Sequence, residues 1–200
     1  MGKELEFKLQ VDGQDILTQI LNDPDILSRV DGEWREIPMK TTYFDNAVGQ
    51  FSRYNWTFRH RMEGEQSVVC LKTPHPDTHT RNEWETEGKM GEQAVAALIE
   101  KGAPVELLAF YGNGKLIPRC GAEFVRRCVM LRFADGSRAE LAGDVGLLRG
   151  LTQEEALCEL ELELYEGEAT ETVALVRLLC QRYGLQEQPK SKYARAKALQ

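Results

Sequence analysis

The alternation Lys3-Glu4-Leu5-Glu6-Phe7-Lys8-Leu9-Gln10-Val11 constrains this chain more than any other stretch. It sets Leu5, Phe7, Leu9 and Val11 on one side and Glu4, Glu6, Lys8 and Gln10 on the other. That is the period of a strand with a single apolar face. Alone, such a strand is a solvated surface. Here the pattern returns. Trp56, Phe58 and Met62 oppose Arg59, Arg61 and Glu63; Arg81, Glu83 and Glu85 share a side; so do Glu140, Ala142 and Asp144. In the cleanest case Glu159, Glu161 and Glu163 oppose Leu160, Leu162 and Leu164. Cross-strand ion pairs on a surface sheet would explain two or three such strands. They do not explain the triple-glutamate strand, whose like charges repel unless a cation sits among them. Strands that share a charged face cannot close an ordinary sandwich core, but they can line a wet channel.

The remaining elements follow in order. A helix or helix pair is expected over 13–30, broken near Pro24. A second strand runs from Glu33 to Asp45, followed by a turn-rich link to Ser52. Strands are expected over Trp56–Glu63, Ser67–Thr73 and Thr80–Thr86, the first two joined by a hairpin at Gly64-Glu65. Short helices are expected over Gln93–Lys101 and Val105–Tyr111, then a glycine-rich stretch to Gly121. A strand over Glu123–Phe133 turns at Asp135-Gly136 into another over Arg138–Asp144. The acidic strand Cys158–Tyr165 precedes a helix over Thr170–Tyr183, with Val173, Val176, Leu179 and Cys180 inward and Gly184 as its C-cap. The basic tail from Pro189 to Ala198 permits a helix. With no linker or repeat, the chain reads as one domain, 1–200, of α+β class. It is mainly antiparallel β, about eight strands with peripheral helices.

Composition narrows the partners. The formal net charge of −7 disfavours a nucleic-acid surface. No apolar run approaches the ~20 residues of a membrane span, and the charged opening offers no signal-peptide core. The cysteines, Cys70, Cys120, Cys128, Cys158 and Cys180, are odd in number and scattered, as reduced cytoplasmic thiols are. His60, His75 and His79 are too dispersed for zinc.

Pooled, the polar strand faces hold the acids Glu4, Glu6, Glu83, Glu85, Glu140, Asp144, Glu159, Glu161 and Glu163. The bases are Lys8, Arg59, Arg61, Lys72, Arg81 and Arg126, with Lys192 and Arg195 from the tail. Carboxylate clusters without nearby His or Cys suit hard divalent cations such as Mg²⁺ or Mn²⁺. Arginine forks suit phosphate oxygens, and lysine adds point charge. The expected partner is a small polyanion complexed with metal. The sequence leaves a homodimer open.

This ordered set resembles the CYTH superfamily, the triphosphate tunnel metalloenzymes. The opening Glu-x-Glu-x-Lys matches Glu4, Glu6 and Lys8, and the aromatic-Asp strand end matches Tyr43-Phe44-Asp45. Arg59 and Arg61, then Lys72, then Arg81 and Glu83 follow in the superfamily's order. So do Arg126, the pair Glu140 and Asp144, and the pair Glu159 and Glu161. The tail Ser191-Lys192-Tyr193-Ala194-Arg195 resembles the closing Ser-Lys-x-x-Arg. One departure stands out: the second arginine of the basic strand is Arg127, with Cys at 128. Alternation lets only one of Arg126 and Arg127 face the site, and the match falls on Arg126.

The resemblance implies an eight-stranded closed β-barrel, a triphosphate tunnel, acting as a metal-dependent hydrolase. It is most similar to bacterial inorganic triphosphatases, which convert tripolyphosphate to diphosphate and phosphate. Class IV adenylyl cyclases and thiamine or nucleoside triphosphatases are the enzymatic alternatives, and a polyphosphate-binding module the non-enzymatic one. Glu4, Glu6, Glu83, Glu140, Asp144, Glu159 and Glu161 would hold Mg²⁺ or Mn²⁺, two ions in all, with Ca²⁺ inhibitory. Lys8, Arg59, Arg61, Lys72, Arg81, Arg126, Lys192 and Arg195 would bind phosphate. Glu6, Lys8 and Arg59 would take part in catalysis.

Overall fold

The computed structural model describes residues 5–75 and 81–199. Its elements run β1 (Leu5–Gln10), α1 (Gln14–Leu21), α2 (Pro24–Leu27), β2 (Arg35–Asn46), α3 (Gln50–Arg53), β3 (Thr57–Glu63), β4 (Gln66–Pro74) and β5 (Arg81–Glu87). They continue α4 (Glu92–Glu100), α5 (Glu106–Gly112), β6 (Leu116–Arg132), β7 (Arg138–Arg149), β8 (Glu154–Glu166), α6 (Thr170–Tyr183), β9 (Gln186–Glu187) and α7 (Lys192–Ala198). The strands form one sheet in the order β5-β4-β3-β2-β6-β7-β8-β1-β9. The sheet is nine-stranded and open, with β5 and β9 as its edges among the described residues. It is not the expected closed ring of eight. The additional strand, β9, pairs Gln186 and Glu187 with Gln10 and Leu9 on the outer edge of β1.

The chain divides into two compact units. The first comprises 1–37, 124–147 and 156–191. Its pairing of β1 with β8 follows from the two alternations. Glu6 lies opposite Glu163, Lys8 opposite Glu161 and Gln10 opposite Glu159, while Leu5, Phe7 and Leu9 meet Leu164, Leu162 and Leu160. A slip of one residue would set leucine against glutamate along the whole pair, so the hydrophobic face fixes the register. That face forms a core with α1 and α6, in which Leu9, Ile20, Leu131, Leu141, Leu160, Leu162 and Leu179 are fully buried. α1 ends before Pro24, which begins α2 where a missing N–H costs nothing. Asp23 caps α2 by accepting from Asp25 N at 2.8 Å, and Arg182 and Tyr183 of α6 donate to the same carboxylate. α6 ends as the sequence predicts, on Gly184 in the left-handed conformation at φ 67°. Its buried side chains include Leu175, whereas the expected Val173 and Cys180 are only half-buried.

The second unit comprises 38–123, 148–155 and 192–200. Strands β2 to β5 form a meander whose apolar side carries Phe58, Val69 and Leu71 against Phe51 of α3, Val95 and Leu98 of α4, and Leu107 and Phe110 of α5. Phe51 stacks on Phe58 with centroids 5.2 Å apart. The turn-rich link after β2 contains α3, and Asp45 is why. Its buried carboxylate accepts from Phe51 N at 3.0 Å and Ser52 N at 3.1 Å, satisfying donors that a short helix leaves open. Asn46 adds bonds to Gln50 and to the carbonyl of Phe110.

Strand β6 begins seven residues before the expected Glu123, because the glycine-rich stretch is strand and not link. Gly121 marks a close backbone approach: a Cβ there would lie 2.7 Å from Thr41 O. Replacing Gly121 by Ala should therefore force the backbone apart and cost about 1–3 kcal/mol in urea denaturation. Wild-type stability in that variant would contradict the close approach.

Candidate active site

The first unit collects carboxylates on one side of its strands. Alternation points Glu159 and Glu161 of β8 and Asp144 of β7 away from the leucine core, yet Glu159 and Asp144 are fully buried and Glu161 is 8% exposed. Their ligand atoms lie within 4.8 Å of one another. Carboxylates that close are stable as anions only with cations among them. Arg126 of β6 is one such cation. Its Nε and Nη2 donate to the two oxygens of Asp144, each at 2.8 Å, and Nη2 also donates to Glu161 Oε2 at 2.5 Å. Burial alone would lower the pKa of this arginine, and the bonds to Asp144 and the charge of Glu161 outweigh it and raise it. Lys8 of β1 is another, with Nζ 3.5 Å from Glu161 Oε1 and 3.4 Å from Glu6 Oε1. Arg127 points the opposite way, its guanidinium 4.8 Å above the ring of Trp34.

The second unit brings bases and acids together on one face in equal number: Arg59, Arg61 and Lys72 with Glu63, Glu83 and Glu85. Register places Tyr43, Arg59, Cys70 and Glu85 side by side across β2, β3, β4 and β5, with Lys72 opposite Glu83 one step along. Arg59 Nη2 reaches Glu83 at 3.2 Å and Glu85 at 3.3 Å; Arg61 Nη2 reaches Glu85 at 3.4 Å and also pairs with Glu63. Lys72 Nζ lies 2.6 Å from Glu83 Oε2. Burial would raise the Glu83 carboxyl, but Lys72 and Arg59 outweigh it and hold it down to about 2. Cys70 donates to Glu83 at 3.0 Å and, pushed up to about 12 mainly by burial, stays a thiol. Cys70, Glu83 and Glu85 bring three ligand atoms together, but one of them is a thiol that stays protonated, a poorer donor for a hard metal ion than a carboxylate. The Nε atoms of Arg59 and Arg61 are buried and make no hydrogen bond among the described residues.

Of the sequence-predicted residues, the structure gathers Glu6, Lys8, Arg126, Asp144, Glu159 and Glu161 in the first unit. It gathers Arg59, Arg61, Lys72 and Glu83 in the second. Glu4 lies outside the described residues. Glu140 accepts from Arg35 at 2.8 Å, and its charge also acts on Arg126. Glu83 sits between the cations Lys72 and Arg59 of the second unit. Arg81 donates to the carbonyls of Asn55 at 2.5 Å and Lys72 at 3.3 Å. Lys192 and Arg195 are half-buried on α7, whose Tyr193 ring meets Tyr43 at 4.9 Å. Three participants escaped the sequence reading: Cys70, Tyr193 and Arg35. Cys70 was detectable, since alternation places it between Arg59 and Glu85; Arg35 carries no periodic signal.

No family model and no curated protein matches this chain. Solved structures do. The Hippeastrum protein HpAC1, an adenylyl cyclase candidate with a dominant triphosphatase activity, is 16% identical with a TM-score of 0.63, over 98% of this chain and 96% of that one. PH1819 from Pyrococcus horikoshii is 14% identical with a TM-score of 0.55, over 95% and 97%. An adenylate cyclase candidate from Vibrio parahaemolyticus is 13% identical with a TM-score of 0.53, over 98% of each chain. The chain shares the fold of these solved structures along almost its whole length.

The depressed carboxyl of Glu83 carries a pH signature. A group whose pKa falls on folding contributes stability above its unfolded value, here 4.5, and loses it as pH drops towards the folded value near 2. Wild type should exceed Glu83→Gln by on the order of 2–3 kcal/mol above pH 5, and the gap should shrink steadily towards pH 3 in urea denaturation. A gap that stays constant over that range would remove the ion pairs with Lys72 and Arg59 as its cause.

Proposed function

We propose that this protein is a metal-dependent hydrolase of triphosphate-containing substrates, with inorganic tripolyphosphate the simplest of them. The observation that carries this reading is the buried group of Asp144, Glu159 and Glu161, oxygen donors only, within 4.8 Å of one another. Oxygen-only sets of this kind fit Mg²⁺ or Mn²⁺ and not a soft metal. The HpAC1 triphosphatase activity points in the same direction. The single sheet order supports treating 1–200 as one working domain.

Asp144, Glu159 and Glu161 would hold the ion, with Glu6 beside them through Lys8. When bound, the divalent ion offsets phosphate charge and acidifies bound water. Lys8, between Glu6 and Glu161, would orient the attacking water through its ammonium hydrogens. Arg126 would exchange its bonds to Asp144 and Glu161 for phosphate oxygens, one charge-assisted bond for another. Arg59, Arg61 and Lys72 are the phosphate-binding candidates of the second unit, and the buried Nε donors of both arginines suit anionic acceptors. Water supplies the new oxygen on the attacked phosphorus and diphosphate leaves with the electrons of the broken P–O bond. No covalent nucleophile is required. Free cysteines throughout agree with a reducing compartment such as the cytoplasm.

Phosphate release from tripolyphosphate, ATP and thiamine triphosphate, each with chelator or with Mg²⁺ or Mn²⁺, tests the reading. Activity should vanish in chelator and return with metal, and Glu161→Gln should abolish it in a folded protein. Arg59→Ala and Arg126→Ala should each lower it roughly tenfold to a hundredfold, and Arg127→Ala should leave it near wild type. Full activity in chelator, or no release from any of the three, would overturn it.

A further inference from the structure

Arg35, the first residue of β2, donates from Nη2 to Glu140 Oε2 at 2.8 Å and to Cys128 Sγ at 3.5 Å. Both partners lie on the charged side of the first unit. Glu140 shares the parity of Asp144 on β7, and Cys128 that of Arg126 on β6. The burial is unequal: the Glu140 side chain is 13% exposed and that of Arg35 58%. The carboxylate therefore lies beneath and the guanidinium above it. A guanidinium has five N–H donors. Those on Nε and Nη1 of Arg35 have no hydrogen-bond partner among the described residues. Arg126, by contrast, commits three bonds to Asp144 and Glu161. At position 128 the short Cys128 side chain leaves room above β6, and the tip of Arg35 occupies it.

We propose that Arg35 is a further phosphate-binding residue of the charged face, and that Glu140 positions its guanidinium instead of ligating metal. This rests on the triphosphate reading above and adds a cation to it. A bare surface ion pair of this exposure contributes little to stability, so an arginine kept only for that purpose could be removed without effect on binding. A ligand-binding arginine could not. Removing Glu140 would leave the charge of Arg35 in place but let it wander, a smaller loss.

The test is calorimetric titration of tripolyphosphate in Ca²⁺, which avoids turnover, into wild type, Arg35→Ala, Glu140→Gln and Arg132→Ala. Arg132 is the control, being 61% exposed, paired with Asp31 and six residues along β6 from Arg126. Arg35→Ala should bind about tenfold more weakly and Glu140→Gln a few-fold more weakly, with Arg132→Ala as wild type. Mn²⁺ titrated alone should bind Glu140→Gln as it binds wild type. All four proteins should stay folded at the temperature of the titration, with Arg35→Ala melting lowest because it leaves the largely buried Glu140 carboxylate without this partner. Wild-type affinity in Arg35→Ala would overturn the role of Arg35, and lost Mn²⁺ affinity in Glu140→Gln that of Glu140. Failure of wild type itself to bind tripolyphosphate would instead overturn the reading beneath both.

Discussion

Asp144 and Glu161 share one guanidinium, and the charged side of the first unit depends on it. Arg126 sits on β6, Asp144 on β7 and Glu161 on β8, so three strands are tied by one side chain. With Asp144 fully buried, removing the arginine would take away a bidentate partner that water cannot replace, the kind of change that costs up to about 3–5 kcal/mol in buried pairs. The second unit works on the same terms, its arginines and Lys72 held by Glu83 and Glu85. Charges on these faces come as matched sets and cannot be altered singly without cost.

This matching explains how much of the molecule was legible in the sequence. Alternation in β1 and β8 specifies both their faces and, because leucine must meet leucine, their register. It also separates Arg126 from its neighbour Arg127, which the structure places on opposite sides of β6. α6 and its Gly184 cap were legible because periodicity and cap agree. Other features depend on contacts that local pattern does not encode. Gly121 reads as a turn residue until the backbone of Thr41 is known to lie against it. Asp45 reads as part of a strand end, although its buried carboxylate organises α3. β9 is two residues long and exists because β1 offers an edge. Closure of a sheet depends on how its far edges meet, and alternation within strands says nothing about that.

The proposed function rests on the same electrostatics. The chain is acidic overall, at −7, yet it concentrates guanidinium groups where they touch carboxylates. A cation held in place by an acid is pre-organised: its side-chain entropy is already spent when a phosphate oxygen replaces the carboxylate oxygen. In the proposed function the acids in turn would be left as donors for a metal ion. An exchange of partners of this kind would need both ligands together, metal for the acids and polyanion for the bases. It accounts for why the two charge types occur on alternating strand positions of one chain.

The central claim is that these faces are built to hold a metal–polyphosphate complex, and linkage measures it most directly. A ligand that binds only the folded protein raises its melting temperature. At one hundred times the dissociation constant the gain is about 2.7 kcal/mol, or roughly 5–10 °C for a chain of this size. Thermal unfolding should therefore rise by that amount in Ca²⁺ with tripolyphosphate. Sulfate at equal ionic strength with the same Ca²⁺ should give only a small shift. If sulfate reproduced the whole shift, the charged faces would be ordinary solvated surface and the account would be wrong.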